Sequence, residues 1–202
     1  MIKEYTATKV EGAIDWQDID CATMDYRYFD TDESYSAFAQ VAYDDENLYV
    51  HLVKTEEETL TTQSGILGLP CLDSCLEFFF CPMENDTRYF NIEFNSQGCV
   101  FFGFGSNADT LFRLVPEGAD TADWFSPEIE KTEDGWELTL TIPYSLIRRI
   151  FPDFEMKDGK TMRANFYTCA DNTNPPHYLS WNEIAGEPFR YHRPECFGII
   201  KF

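Results

Sequence analysis

The segment "RYFNIEFN" (88–95) decides the class of fold, because apolar and polar residues alternate along it. Apolar side chains occupy every second position: Phe90, Ile92 and Phe94. Hydrogen-bonding side chains stand between them: Tyr89, Asn91, Glu93 and Asn95. A period of two predicts a β-strand with one face in a core. Asparagine is depleted in strands, so the polar face needs an explanation of its own.

Composition and length indicate one globular all-β domain over residues 1–202. The chain of 202 residues is 44% hydrophobic and 16% aromatic, which is enough apolar material for a sizeable core. Aromatic residues favour strands and stacking surfaces. We find no linker, repeat or low-complexity tract that would divide the chain.

The net charge of −21 excludes two classes of partner. Nucleic acids and anionic membrane surfaces are polyanions, which a strongly acidic surface repels. No apolar run approaches the roughly 20 residues of a spanning helix. We therefore expect no nucleic-acid and no membrane partner, while the sequence leaves the oligomeric state open.

The number and spacing of the cysteines bear on the cellular compartment of the protein and on whether it binds a metal cluster. The chain has seven cysteines, without a CxxC pair, and its three histidines lack the spacing of a zinc site, which disfavours a metal cluster. The first residues, "MIKEYTATKVEGAIDW", show no secretory signal. Free thiols and a cytoplasmic location are therefore expected, with secretion as the alternative if a signal segment was removed.

Strand signals recur along the chain with Gly- and Asp-containing turns between them. The predicted strands are 36–43, 47–55, 74–82, 88–95, 99–105, 128–132, 136–142, 161–170, 177–184 and 196–202. One short helix is predicted at 144–151, between Pro143 and Pro152. This pattern predicts an antiparallel β-sandwich of jelly-roll type. The segments 56–72 and 105–126 are long loops of the kind that often form ligand sites.

The polar face of 88–95 extends to the neighbouring predicted strands if they pair. The shared face would present Glu77, Tyr89, Asn91, Glu93, Asn95, Asn165 and Tyr167. Carboxylates and amides match the hydroxyls of a sugar, and aromatic rings cover its C–H face. The alternative is that this is the solvated side of an antiparallel sheet, which is polar in any case.

The order of several motifs resembles the carbohydrate-binding module family 9-like proteins, which belong to the DOMON-like sandwich group. The motifs are "AYDDENLYVHL" (42–52), "DSCLEFFF" (73–80), "YFNIEFNSQG" (89–98), "EDGWELTLTIPYSLI" (133–147), "RANFYTCAD" (163–171), "LSWNEI" (179–184) and "HRPECFGIIKF" (192–202). The resemblance implies an antiparallel sandwich that binds glucans, xylans or their sugars on a concave sheet face. It also implies structural calcium.

The resemblance also implies roles for individual residues of this chain. Its D-S-x-x-E segment implies that Glu77 accepts sugar hydroxyls, and its N-x-Y-x-x-x-D pattern implies roles for Asn165, Tyr167 and Asp171. Asn91 stands where the family pattern suggests an arginine.

Two aromatic rings typically clamp the terminal sugar in this family. The first is a tryptophan ahead of the D-S-x-x-E segment, where this chain has Cys71 or Leu72. The second lies shortly before the last strand, where this chain has Phe189, Tyr191 and His192.

The sequence thus predicts a non-catalytic domain that holds a mono- or oligosaccharide on the polar concave face of one sheet. The candidate ligand-binding residues are Glu77, Tyr89, Asn91, Glu93, Asn165, Tyr167, Asp171, Trp181, Tyr191 and His192. The alternatives are a glycoside hydrolase using Glu77 and Glu93, and a protein-interaction module. Trp181 could equally be a buried core residue. The acidic turns 30–34 and 44–47 offer ligands for Ca²⁺, although Asp-rich turns need no metal.

Overall fold

The computed structural model describes residues 1–202, except for the side chains of residues 119 and 123, and shows two β-sheets packed face to face. The strands are β1 (Glu4–Thr6), β2 (Thr8–Lys9), β3 (Ala22–Thr23), β4 (Tyr26–Tyr28), β5 (Ser36–Tyr43), β6 (Asn47–Thr55), β7 (Cys75–Cys81), β8 (Tyr89–Asn95), β9 (Val100–Gly105), β10 (Phe112–Arg113), β11 (Ser126–Lys131), β12 (Gly135–Pro143), β13 (Thr161–Ala170), β14 (His177–Ser180) and β15 (Gly198–Lys201). One α-helix, α1, spans Tyr144–Arg148. This all-β architecture confirms the predicted sandwich.

The larger sheet has the strand order β1-β15-β13-β7-β8-β9-β10, with β14 beside β13 and β4 beside β14. The smaller sheet runs β11-β12-β6-β5-β2, with β3 also beside β5. Most pairs are antiparallel, whereas β1 with β15 and β2 with β5 are parallel. The β13-β7-β8 strands at the centre of the larger sheet carry the predicted polar face.

The predicted strands agree with the observed ones to within a few residues, except at the C-terminal end of β14. The predicted strands 36–43 and 47–55 pair with each other as the antiparallel hairpin of β5 and β6. The helix ends at Arg148, three residues before its predicted end. Strands of two or three residues, such as β2 and β10, were not predicted, because a segment that short cannot show a repeating pattern. Among the described helices, none has the length and apolarity to cross a membrane.

The main core lies between the two sheets and is rich in stacked aromatic rings. Phe78 lies on β7 between Phe80, at 4.8 Å between ring centroids, and Phe166, at 5.2 Å. Trp136 and Trp181 are buried in the same core. Each fully buried ring of this kind contributes about 1.5–3 kcal/mol through loss of apolar surface to water.

A second apolar cluster covers the opposite face of the larger sheet. Its buried members are Cys75, Phe79, Cys81, Tyr89, Tyr167, Cys169, Ile184, Tyr191 and Phe197. The segment 182–197 supplies three of them, so it covers much of the polar face. The expectation of a solvated face is therefore wrong, because this face is packed under a second layer.

A buried ion cluster joins the two sheets. Lys54 Nζ lies 3.0 Å from Glu56 Oε2, and His177 Nε2 lies 3.4 Å from the same oxygen. Trp136 Nε1 donates a hydrogen bond to Glu56 Oε1 at 3.0 Å. Burial alone would raise the pKa of Glu56, but His177 and Lys54 outweigh it and hold that pKa at about 2. The carboxylate is therefore a fixed negative charge at neutral pH.

We expect Glu56→Gln to destabilise the fold at pH 7 by about 3 kcal/mol, because Lys54 would lose its buried partner. The folded pKa of Glu56 is depressed from 4.5 to about 2, so its contribution is complete above pH 4.5 and is lost as the pH falls towards 2. Urea denaturation of both proteins from pH 7 to pH 3 measures this difference. Glu58→Gln, at an exposed position, is the control. A pH-independent difference would contradict the assignment.

Candidate functional site

The strand register sets acidic and aromatic groups in a row across the larger sheet. Tyr167 on β13 pairs with Glu77 on β7, and Glu77 pairs with Glu93 on β8. In an antiparallel sheet, directly opposed side chains lie about 5 Å apart at their Cβ atoms. The two glutamates are thus neighbours on one face, as alternation predicted.

A pocket of about 290 Å³ opens over this row. Its walls come from Cys71, Glu77, Glu93, Cys169, Asp171, Tyr178, Phe189, Arg190, Tyr191 and His192. A larger cleft, of about 780 Å³, lies between the loops around Arg88 and Lys157, but its walls are mostly exposed side chains. Only the smaller pocket has buried carboxylates at its base, and this makes it the candidate site.

The two glutamates at the base of the pocket are electrostatically unusual. Glu77 is 2% exposed and Glu93 is 6% exposed. Burial, and then the charge of Glu93, raise the pKa of Glu77 well above its usual value. Burial also raises the pKa of Glu93 to about 7, although a hydrogen bond from Asn91 Nδ2 at 2.9 Å opposes the shift. Such groups gain most from a ligand that donates hydrogen bonds to them.

Aromatic rings form one side of the pocket. The centroid of Phe189 lies 5.5 Å from that of Tyr191 and 6.1 Å from that of Tyr178, and both pairs are edge-on. Phe29, which is 64% exposed, packs edge-on against Phe189 at 4.8 Å. This side therefore offers flat apolar surface next to the acidic base.

His192 and Arg190 complete the wall nearest β8. His192 Nδ1 lies 2.9 Å from the hydroxyl of Tyr89, and its ring packs on Phe79. Burial, and then the charge of Arg190, lower the pKa of His192 to about 4, so the ring is neutral at pH 7. Arg190 is exposed at the mouth of the pocket. A cationic group therefore stands at the entrance rather than at the base.

The structure separates the predicted residues into two groups. Those that line the pocket are Glu77, Glu93, Asp171, Tyr191 and His192. Those that lie elsewhere and are buried are Tyr89, Asn91, Asn165, Tyr167 and Trp181. Trp181 packs on Phe166 in the main core, on the other side of the sheet from the pocket.

The buried polar residues outside the pocket position its walls. Tyr167 donates a hydrogen bond to the carbonyl of Tyr191 at 3.1 Å, and their rings stack at 4.3 Å. Asn165 Nδ2 donates to the carbonyl of Asn182 at 2.9 Å, while its Oδ1 accepts from the backbone N–H of Asn182 at 2.8 Å. These contacts hold the covering segment 182–197 to the sheet at residues 182 and 191.

Sequence reasoning did not single out Cys169, Tyr178 or Arg190 for the site. Tyr178 and Arg190 belong to no local sequence motif, and only tertiary packing brings them to the pocket. Cys169 could have been found, since it shares a face with Tyr167 on the same predicted strand.

The acidic turns that suggested calcium use their carboxylates to close the turns themselves. Asp32 Oδ1 accepts from the backbone N–H of Ser34 at 2.8 Å. Asp44 Oδ1 accepts from the backbone N–H groups of Glu46 and Asn47, at 2.7 Å and 2.6 Å. Structural calcium stays a prediction.

We expect Asn165→Ala to destabilise the protein by roughly 2–3 kcal/mol, because it leaves the buried N–H of Asn182 without a partner and leaves the C=O of Asn182 with the Ser180 hydroxyl alone. Chemical denaturation at pH 7 measures the effect. Asn85→Ala, at an exposed position, should change stability by less than about 0.5 kcal/mol. Equal effects of the two substitutions would show that Asn165 does not hold the covering segment.

Comparison with solved structures places this geometry among known sandwiches. A Bacteroides uniformis protein, provisionally described as carbohydrate-binding, superposes with a TM-score of 0.84 at 26% identity, with both chains fully covered. A family 9 carbohydrate-binding module from Caldicellulosiruptor kristjanssonii, in complex with cellotriose, gives 0.69 at 14% identity over 98% of this chain and 93% of that one.

The glucose complex of a family 9 module from the same organism gives a TM-score of 0.69 at 13% identity, over 98% of this chain and 95% of that one. Curated protein sequences give no match. The family model for carbohydrate-binding family 9 matches residues 7–202. This match covers nearly the whole chain, and the protein therefore belongs to carbohydrate-binding family 9.

Proposed function

We propose that the protein binds a carbohydrate without cleaving it, with one sugar ring in the pocket above Glu77 and Glu93. The observation that carries the proposal is a pair of buried carboxylates at the base of a pocket with aromatic rings along one side. Sugar hydroxyls donate to carboxylates, and the apolar face of a pyranose packs on aromatic rings. This combination distinguishes the pocket from an ordinary apolar cavity.

The size of the pocket favours a short ligand. Its volume of about 290 Å³ is at the lower limit of the range of small-molecule sites, about 300–1,000 Å³. A second depression of about 280 Å³ shares Arg190 and His192 with it. We infer that a first sugar occupies the pocket and that a second, when present, extends past these two residues.

The comparisons support a carbohydrate ligand at the level of the family. The Caldicellulosiruptor modules that share this fold are in complex with glucose and cellotriose. At 13–14% identity they support the fold alone, so the position of the ligand in this chain rests on its own pocket.

A glycoside hydrolase, which was the alternative prediction, also uses a pair of neighbouring carboxyl groups. Retaining enzymes hold two carboxyl groups about 5 Å apart. Glu77 and Glu93 are directly paired on adjacent strands, so their carboxyl groups are neighbours. A retaining mechanism needs one of them ionised as the nucleophile. Burial raises the pKa of Glu77 well above its usual value and that of Glu93 to about 7, so these pKa values do not separate a hydrolase from a binding site. Binding is the better-supported function because the chain belongs to carbohydrate-binding family 9.

We expect Glu93→Gln to weaken sugar binding roughly 10- to 100-fold, because a hydrogen bond to a carboxylate contributes about 1.5–3 kcal/mol. Isothermal titration calorimetry against glucose, xylose, cellobiose and xylobiose, in buffer with a chelator, measures the affinity. Glu128→Gln, exposed on β11, is the control and should bind like the original protein.

Two outcomes would contradict the proposal. One is the absence of heat with every neutral sugar tested. The other is binding that Glu93→Gln leaves unchanged. Turnover of aryl glycosides that is lost in Glu77→Gln would instead support the hydrolase.

A further inference from the structure

Two thiols and a carboxylate meet beneath the pocket. The ligand atoms of Cys75, Glu77 and Cys169 all lie within 4.8 Å of one another. Cys75 and Cys169 are directly paired across β7 and β13, and Glu77 is two residues along the same face of β7. All three side chains are buried, and Glu77 and Cys169 also form part of the pocket wall. The cluster is thus enclosed on the protein side and accessible from the pocket.

Hydrogen bonding within the protein leaves this cluster incompletely satisfied. The Cys169 thiol donates to the carbonyl of Cys71 at 3.5 Å, and the Cys75 thiol donates to the carbonyl of Leu76 at 3.8 Å. Both are long and weak, since sulfur is a poor donor. Among the described residues, no backbone N–H or cationic side chain donates a hydrogen bond to Glu77. Its partner within the protein is the Cys169 thiol, a weak donor, and the remaining hydrogen-bonding capacity of the carboxyl group is open to the pocket.

The positively charged side chain near the cluster is already paired with another carboxylate. Lys54 is the nearest cation to the cluster, and its Nζ lies 3.5 Å from the carbonyl of Cys169. The same Nζ is held 3.0 Å from Glu56 by the buried ion cluster. Glu93 and Asp171 lie on the pocket side of the cluster. A cation entering from the pocket would therefore meet thiol and carboxyl groups that no cationic side chain of the described residues already occupies.

The donor set matches one class of cation. Thiolate sulfur selects soft or borderline divalent ions over Ca²⁺ and Mg²⁺, which prefer oxygen. Zinc takes cysteine and carboxylate ligands, and sites with three protein ligands keep a fourth position open. We propose that Cys75, Cys169 and Glu77 bind a thiophilic divalent cation of the zinc class, with the open position facing the pocket. This inference goes beyond carbohydrate binding and does not depend on it.

Binding would exchange protons for the metal. Each thiol gives its proton to solvent as its sulfur forms a bond to the cation, and the Glu77 carboxyl, where protonated, likewise releases its proton as its oxygen binds. The fourth position would hold water or a hydroxyl oxygen of a ligand in the pocket. No electron transfer is involved, so the ion returns unchanged on chelation.

Cobalt is the direct probe, because Co²⁺ occupies zinc sites and its bonds to thiolates absorb in the near ultraviolet. We expect the reduced, metal-free protein to take up Co²⁺ with a thiolate charge-transfer band, and Zn²⁺ to abolish that band by displacement. Cys75→Ala and Cys169→Ala should each weaken Co²⁺ binding at least tenfold. Cys81→Ala is the matched control, since Cys81 is a buried thiol on the same face of the same strand.

A second measurement covers variants that fail to fold. The melting temperature of the original protein should rise with Zn²⁺ and not with Mg²⁺, because a ligand that binds only the folded state stabilises it. Absence of both the band and the thermal shift would overturn the proposal, and so would a band that survives both cysteine substitutions. Sugar calorimetry in chelator is independent, so either proposal can fail while the other stands.

Discussion

The antiparallel register of β13, β7 and β8 is the constraint on which the rest of the structure depends. It aligns Tyr167, Glu77 and Glu93 in one row and pairs Cys75 with Cys169 in the next. A slip of one residue in β7 would send Phe78 outward and Glu77 into the main core, because side chains alternate between faces. The stacked phenylalanines on the inner face therefore specify the position of the carboxylates on the outer face.

Burying a carboxylate without a cationic partner is unfavourable. The protein does this at its candidate site but not at Glu56. In the main core, Glu56 is surrounded by Lys54, His177 and Trp136, so its charge is satisfied. On the outer face, Glu77 and Glu93 are equally buried, but no Lys, Arg or His of the described residues forms an ion pair with either, although the charge of Arg113 acts on Glu93. Proteins tolerate such local conflicts mainly where function requires them, and the contrast within one domain is an argument for the pocket.

Period-two alternation predicted which residues of each strand share a face, and many short strands with Gly and Asp turns predicted the sandwich. The shared face of Glu77, Glu93 and Tyr167 followed only on the condition that their strands pair. Alternation could not predict that 182–197 folds back over this face, because that segment has no period and its anchors are single contacts such as Asn165 with Asn182. For the same reason Asn165 and Tyr167 looked like ligand-binding residues, although both support the pocket wall from below. Local sequence spacing does not reveal the paired thiols, because Cys75 and Cys169 meet only through strand pairing.

If the pocket binds a carbohydrate as proposed, the covering segment has a consequence for how it would recognise its ligand. Tyr191 donates from its hydroxyl to the carbonyl of Thr168 at 2.9 Å, and Tyr28 accepts from the backbone N–H of Ile184 at 2.8 Å. The wall is therefore fixed to the sheet at several points before any ligand arrives. A preformed site loses little conformational entropy on association, so more of the contact energy remains as affinity. The same rigidity prevents the wall from adapting, which favours one ligand shape over a broad range of sugars.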